Sequence, residues 1–501
     1  MSEKSFLGQL FSVKSFTSLE EQSERSELKR TLGPFDLTLL GIGGIIGAGI
    51  FVVTGQVAAV NAGPAVLLSF VFAGIAAATA ALSYAELSSM IPIAGSAYTY
   101  AYATLGELVA WFIGWDLILE YMVGAAAVSV GWSGYLVSLI QDLTGSTELS
   151  PAIKAITTAP LFFDTNTQAF GVADGAIVNL PAVFISLLVT LLLVVGISES
   201  ARFNAVMVII KMVVILIFIF SLIGQINSAN YSPFIPENTT GEKGKFGWSG
   251  VLMGATVVFF AYIGFDAVST TAQEAKNPQR DLPIGIIGSL VICTTLYMAT
   301  SAVAVGVVNY KDLAGSHPLS DVAQRVGWRW LSIIIGFGAV AGLSSVMMIS
   351  LLGQPRIFYS MAEDGLLPAW ARKIHPRFKT PYVTTILAGT LCALLGGFLP
   401  IDVLAELTSI GTLSAFIIVN LGVMILHFKQ PDAPRKFKVP LGPYVFPPLG
   451  LIMCGVLVYS SSGASLLRLL IWMAIGMIIY FCYGKWNSRL NNPHKYANEK
   501  H

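Results

Sequence analysis

Runs of about twenty apolar residues recur between residues 35 and 485, and they decide most of what this chain can become. Each run matches the ~20 residues that an α-helix needs to cross ~30 Å of hydrocarbon. Lipid offers no hydrogen bonds, so a spanning segment must satisfy its own backbone, and a helix does this alone. Charged residues make up 11% of the chain, less than half the roughly 25% of a typical soluble domain. The composition therefore specifies an all-α polytopic membrane protein.

The runs place spans at 35–60, 64–90, 106–140, 179–196, 203–225, 249–270, 282–307, 329–355, 382–399, 402–427, 444–462 and 465–485. Twelve spans put both tails, 1–34 and 486–501, on one side. Of the 29 Lys and Arg residues, only Lys154, Lys243, Lys245, Lys311, Arg325, Arg329 and Arg468 fall on the other side, and Lys211 lies within a span. Positive charge collects on cytoplasmic segments, so the termini are expected in the cytoplasm and the chain in the cell membrane. No cleavable signal peptide precedes the first span, which then acts as its own insertion signal. The opposite side carries an acidic loop, 141–178, with Asp142, Glu148, Asp164 and Asp174, and a segment 307–328 expected to form short helices over the outer mouth. Inside, "RKIHPRFKTP" and "PDAPRKFKVPLGP" either set topology or meet anionic lipid headgroups. A net charge of +1 gives no reason to expect a nucleic-acid partner. Cys293, Cys392, Cys454 and Cys482 lack metal-ligand spacing and read as small buried residues, and no cofactor or metal is expected.

One run is badly built for a helix. "GIGGIIGAGIF" (41–51) holds Gly41, Gly43, Gly44, Gly47 and Gly49, and each glycine costs a helix about 1 kcal/mol relative to alanine. Close packing explains one such helix, since Gly43 and Gly47 form a GxxxG pair. A second interruption changes the reading. In "GATVVFFAYIGFDAVSTTAQE" (254–274), Gly264 breaks the sixth span, followed by Asp266 and by hydroxyls at Ser269, Thr270 and Thr271. The two hold corresponding places if spans 1–5 (35–225) and 6–10 (249–427) are repeats of opposite topology, with 444–485 as two added helices. An odd repeat length forces that inversion, and paired interruptions point to a transporter's binding site.

Three stretches carry a family resemblance: "SELKRTLGPFDLTLLGIGGIIGAGIFVVTG" (26–55), "FFAYIGFDAVSTTAQEAKNPQRDLP" (259–283) and "GQPRIFYSMAEDGLLP" (353–368). They resemble the amino acid–polyamine–organocation superfamily, most of all its cationic amino acid transporter branch and bacterial relatives. The likeness runs from about Leu28 to the last spans. It implies a leucine-transporter-like fold, a five-plus-five inverted repeat with two further helices. It also implies that a substrate carboxylate rests on the N–H groups of Gly47, Ala48 and Gly49. The amine would meet carbonyls of Ile45, Phe260, Ala261 and Ile263, with Phe260 as the aromatic gate. A half-helix N-terminus carries partial positive charge and a C-terminus partial negative charge, which suits a zwitterion.

Two ionisable residues sit at membrane depth, where they are functional candidates by default: Glu120 in the third span and Lys211 in the fifth. They either form a structural pair, or Lys211 snorkels to the surface. In related proton-coupled members a lysine on the fifth helix replaces the cation of sodium-coupled relatives. The resemblance therefore makes Lys211 the proton-coupling residue, with Glu120 tuning it or reaching substrate through water. Asp116, Asp266, Asp402 and Glu406 read as caps or gate hydrogen bonds, and Glu86 as part of an inner gate.

The side-chain pocket is expected from Val123, Gly124, Phe260, Phe265, Met347 and Ser350. If Glu120 pairs with Lys211, no acid remains for a cationic substrate, which favours neutral branched-chain amino acids. Ser350 argues the other way, since animal cationic members carry a small residue there. The expected function is proton-coupled amino acid import by alternating access. Lysine or arginine transport or exchange is the alternative, and a non-transporting amino acid sensor the alternative of another class. A channel would need a filter or a voltage-sensing arginine series. An enzyme would need a nucleophile paired with a base, and the five histidines lie in loops, span ends or tails. The sequence is silent on oligomeric state.

Overall fold

The computed structural model describes residues 6–14, 31–91, 96–145, 149–164, 169–195, 201–378, 380–492 and 495. The tail residues Lys4, Arg25, Lys29, Arg30, His494, Lys500 and His501, the loop residues Glu148 and Lys379, and Gly196 at the end of the fourth expected span lie outside them.

Among the described residues the chain makes twelve helical passes. Span 1 is Pro34–Ile45 followed, after a break, by a π/α/π helix from Gly49 to Ala62, and span 2 is Val66–Met90. Gly63, at φ +60°, turns the chain between them. Span 3 is Glu107–Thr144, span 4 Leu180–Val195 and span 5 Ala201–Leu222. Span 6 runs as Gly247–Val258, the 3-10 turn Phe259–Tyr262, a break, and the 3-10 segment Phe265–Glu274. Then follow span 7 (Pro278–Val307), span 8 (Arg329–Glu363), span 9 (Tyr382–Phe398), span 10 (Ile401–Lys429), span 11 (Phe446–Ser460) and span 12 (Gly463–Ile479, prolonged to Asn487).

The start of span 1 shows why helices begin where they do. Pro34 occupies the first turn, where its missing N–H is no loss, and the Asp36 carboxylate accepts the Gly33 N–H at 2.9 Å. The chain just before it is stitched to the exit of span 6, since Thr31 and Leu32 donate to the Glu274 carbonyl at 2.9 and 3.0 Å.

Packing follows a pattern. Span 1 lies against span 7 and span 2 against span 6; span 5 meets span 8 and span 10 meets span 3; span 3 touches span 9 and span 8 touches span 4. Exchanging each number with the one five higher turns the first member of each couple into the second. Spans 11 and 12 stand outside this set. Span 11 packs on spans 2 and 10, and span 12 is tied to span 3 by stacked Trp115 and Trp472, ring centroids 4.5 Å apart.

Both termini reach one face, where buried acids fasten them. The Glu107 carboxylate accepts from Tyr102 and Tyr480 hydroxyls at 2.9 Å, from Asn491 at 2.9 Å, and from Ser488. Asp364 at the end of span 8 takes the Lys14 ammonium and the Tyr98 hydroxyl, both at 2.7 Å. On the same face the fully buried Glu86 holds His427 at 2.7 Å, Arg435 at 3.1 Å and the Val439 N–H at 2.8 Å. Glu86 thus anchors the connector between spans 10 and 11. At the opposite face Glu406 performs the matching task, accepting from the Ser462 N–H and hydroxyl and from Ser465 at 2.7, 3.0 and 2.8 Å.

Several expectations need correction. Span 8 continues eight residues past its expected end at Pro355, because that proline is buried in a packed helix that tolerates one missing hydrogen bond. Span 3 extends to Thr144, and its 38 residues make about 57 Å of helix, well beyond the hydrocarbon thickness. The loop after it contains a helix, Pro151–Thr157, and a hairpin, Leu161–Asp164 with Ala169–Val172. Cys482 is exposed, while the other three cysteines are buried. An apolar run can place a residue against lipid as readily as in the interior.

Candidate functional site

The two helix breaks cross each other. In span 1 the helix ends at Ile46, which turns extended (φ −73°, ψ 96°), and resumes beyond Gly47. In span 6 Ile263 is extended and Gly264 adopts φ +120°, a conformation that favours glycine. The backbones meet so closely that a Cβ on Gly264 would lie 2.6 Å from the Gly44 carbonyl carbon and oxygen. Gly49 faces Ala261 in the same way, and Gly41 makes room for Ser289 of span 7. Packing and unwinding are therefore one phenomenon here, since these glycines let two interrupted backbones touch.

Freed carbonyls at the crossing have two identifiable donors. The Lys211 ammonium, on a fully buried side chain, donates to the Gly43 carbonyl at 2.8 Å and the Ile46 carbonyl at 3.0 Å. Its stem lies over Gly342 of span 8, where a Cβ would collide with the Lys211 Cγ and Cδ. Lys211 does not snorkel; it joins span 5 to the break of span 1 and to span 8. The Tyr297 hydroxyl of span 7 lies 2.8 Å from both the Ile45 and the Ala261 carbonyls. Sequence reasoning passed over Tyr297 because a single tyrosine in an apolar run carries no distinguishing pattern.

A cavity opens beside the crossing. It is lined by Gly44, Ile45, Gly47, Ala48 and Gly49 of span 1 and by Phe260, Ile263 and Gly264 of span 6. Span 3 contributes Glu120, Tyr121, Gly124 and Val128, span 8 contributes Val346, Ile349 and Ser350, and Thr408 comes from span 10. Residues 120, 124 and 128 follow helical i, i+4 spacing, and so do 346 and 350. The expected Val123, Phe265 and Met347 are absent from this lining because each sits on a different face of its helix. Phe259 packs edge-on against Phe416 at 5.6 Å, leaving Phe260 as the phenylalanine that faces the site. Ala261 lies behind, under Gly49.

The cavity is tight, about 40 Å³, room for a few waters at ~10–15 Å³ each and too small for an aliphatic amino acid. Tyr121, Ala267 and Ile349 separate it from a second cavity of about 130 Å³ that leads to Glu274 and Arg356 near the termini face. The opposite side is closely packed. Leu313 and Pro318 press on Gly55, and the Tyr135 hydroxyl donates to the Phe51 carbonyl at 2.5 Å.

Glu120 is not paired with Lys211. The side chain that acts on its carboxylate as a hydrogen-bond donor is Thr412 of span 10, and its acidic neighbours are Asp266 and Asp116. The geometry explains this: Lys211 approaches the break from span 5, while Glu120 faces the cavity from span 3. Asp266, in the first turn of Phe265–Glu274, accepts the Tyr121 hydroxyl at 3.2 Å beside the break of span 6. Among the described residues no cluster of three His, Cys, Asp or Glu side chains could hold a metal ion.

A family profile described as amino acid permease matches residues 32–482. The chain belongs to the amino acid permease family. The permease is 47% identical, over 97% of its length and 99% of the other chain, to the branched-chain amino acid permease BcaP of Bacillus subtilis. It is 45% identical, over 97% of its length and the whole of the relative, to the methylthioribose transporter of the same organism. The vacuolar cationic amino acid transporter 4 of Arabidopsis thaliana is 41% identical over 81% of the permease and 64% of that protein.

Proposed function

We propose that the permease imports neutral branched-chain L-α-amino acids across the cell membrane, coupled to protons, by alternating access between two inverted repeats, 35–225 and 249–427. The observation that carries this reading is the crossing of the two broken backbones beside a closed cavity. Gly47, Ala48 and Gly49 present the positive end of a half-helix to the substrate carboxylate, and the Ile45, Phe260 and Ile263 carbonyls meet the ammonium. Apolar walls from Val128, Phe260, Val346 and Ile349 suit an aliphatic side chain. The repeat assignment draws on the packing that maps onto itself when spans five apart are exchanged. Lys211 couples the proton: while charged it holds the Gly43 and Ile46 carbonyls, and on releasing its proton it loosens the break. The closely packed outer side and the cavity toward Arg356 correspond to an inward-leaning state, with the termini face in the cytoplasm by the charge asymmetry of the loops.

A second reading rests on Glu120. Among the described residues its carboxylate has no basic partner in the cavity lining, which Ser350 shares, a corner suited to a lysine or arginine side chain. Uptake into vesicles under an imposed proton gradient separates the readings. Leucine, isoleucine and valine are expected to compete for labelled leucine, and arginine and methylthioribose to compete weakly. Dominant competition by arginine, or uptake indifferent to the gradient, would overturn the assignment.

A further inference from the structure

At the rim of the termini face, one groove combines two cations with an apolar wall. It lies between the start of span 7 and the connector of spans 10 and 11, has a volume of about 710 Å³, and is lined by Arg280, Pro283, Ile284, Ile287, Lys436 and Phe437 among others. Among the described residues neither Arg280 nor Lys436 takes part in an ion pair. The neighbouring Asp281 turns inward, 2% exposed, and its carboxylate accepts the Asn277 N–H at 3.2 Å. Arg280 and Lys436 are both exposed, and among the described residues no ion pair neutralises either.

Below them the surface changes character. Ile284 and Val291 are 42% and 59% exposed and stand four and eleven residues beyond Arg280, on one face of span 7. From Arg280 to Val291 this strip descends about 16 Å at ~1.5 Å per residue. Cations at the membrane surface above an uncovered apolar strip match the outline of a lipid with a negative headgroup.

The two walls belong to different parts of the permease. Span 7 carries Tyr297, which serves the carbonyls at the crossing. The opposite wall is a strap fastened to span 2, because Arg435 and Val439 on either side of Lys436 both bind Glu86. Whatever bridges Arg280 and Lys436 links the helix that touches the site to the anchored connector.

We propose that this groove binds an anionic glycerophospholipid, its headgroup on Arg280 and Lys436 and an acyl chain along span 7, and that its occupancy raises the transport rate. Only the choice of inner leaflet rests on the cytoplasmic placement of the termini face. The test compares the full-length permease with R280Q/K436Q, the charge-conserving R280K/K436R, and K373Q/R377Q, which removes equal charge from the other basic connector. Native mass spectrometry reads phosphatidylglycerol retained in preference to phosphatidylcholine, and leucine uptake is measured in vesicles with and without phosphatidylglycerol. Retention is expected to fall about tenfold in R280Q/K436Q alone, and stimulation of uptake to vanish with it. A thermal shift on adding leucine confirms that the variant is folded. Equal retention by R280Q/K436Q, or equal loss in K373Q/R377Q, would overturn the site in favour of a diffuse surface potential. Retention is read without transport, so a wrong substrate assignment leaves this arm intact.

Discussion

Replacing Gly264 with alanine tests whether the crossing of the two breaks is the foundation of the site. The new methyl carbon would lie 2.6 Å from backbone atoms of Gly44, where ordinary contact begins near 3.4 Å, so the breaks must separate by about 0.8 Å. Neither partner is a side chain that can rotate away. Overpacking of this kind costs about 1–3 kcal/mol, and forcing alanine to φ +120° adds roughly 1–3 kcal/mol. The lower end of the combined cost, about 2 kcal/mol, is a ~30-fold shift in the folding equilibrium, and separating the two breaks should weaken leucine binding as well. Gly336→Ala is the matched control: its Cβ would meet only the Leu139 side chain, at 3.2 Å and outside the cavity lining, and a small adjustment relieves it. Affinity read by leucine-dependent thermal stabilisation, with unfolding followed by a thiol-reactive dye on the buried Cys293, Cys392 and Cys454, reports both quantities. Wild-type affinity and stability in Gly264→Ala, or equal damage in Gly336→Ala, would refute the reasoning.

Further outcomes are expected from the charged residues. Lys211→Met removes the ammonium from the Gly43 and Ile46 carbonyls; uptake should become insensitive to the pH gradient, and an unchanged pH dependence would end the coupling role. Tyr297→Phe leaves two buried carbonyls short of a donor, a loss of about 1–3 kcal/mol that should appear as a lower unfolding temperature together with weakened leucine binding. Glu120→Gln should spare leucine uptake and abolish any residual lysine or arginine uptake; loss of both to the same degree would make Glu120 part of the general machinery. In a Cys482→Ser background, an impermeant maleimide should label Lys243→Cys in intact cells and Arg377→Cys only in inverted vesicles, and the reverse pattern would invert the topology.

The spans and the interruptions at Gly47 and Gly264 were legible because hydrocarbon thickness and glycine chemistry act locally. What a helix faces is less local. Glu120, Gly124 and Val128 share one face at i, i+4 spacing, a pattern the sequence carries, whereas Val123, next to Gly124 in the chain, lies on another. Partnership was least legible. Glu120 and Lys211 have opposite charges and similar depth, yet they approach from different sides of the broken helix, and only the packing of spans 1, 3, 5 and 8 distinguishes pairing from proximity.

The Tyr297 hydroxyl owns one hydrogen and stands 2.8 Å from two carbonyls. At any instant one of them, on span 1 or on span 6, goes without it. An ammonium brings three. In the proposed binding mode a substrate amine donates to the Ile45 carbonyl, the tyrosine gives its hydrogen wholly to Ala261, and the shortage ends. On that proposal the ligand is the missing member of a hydrogen-bond set that spans both halves of the fold, and its departure would return the two broken helices to competition for a single proton.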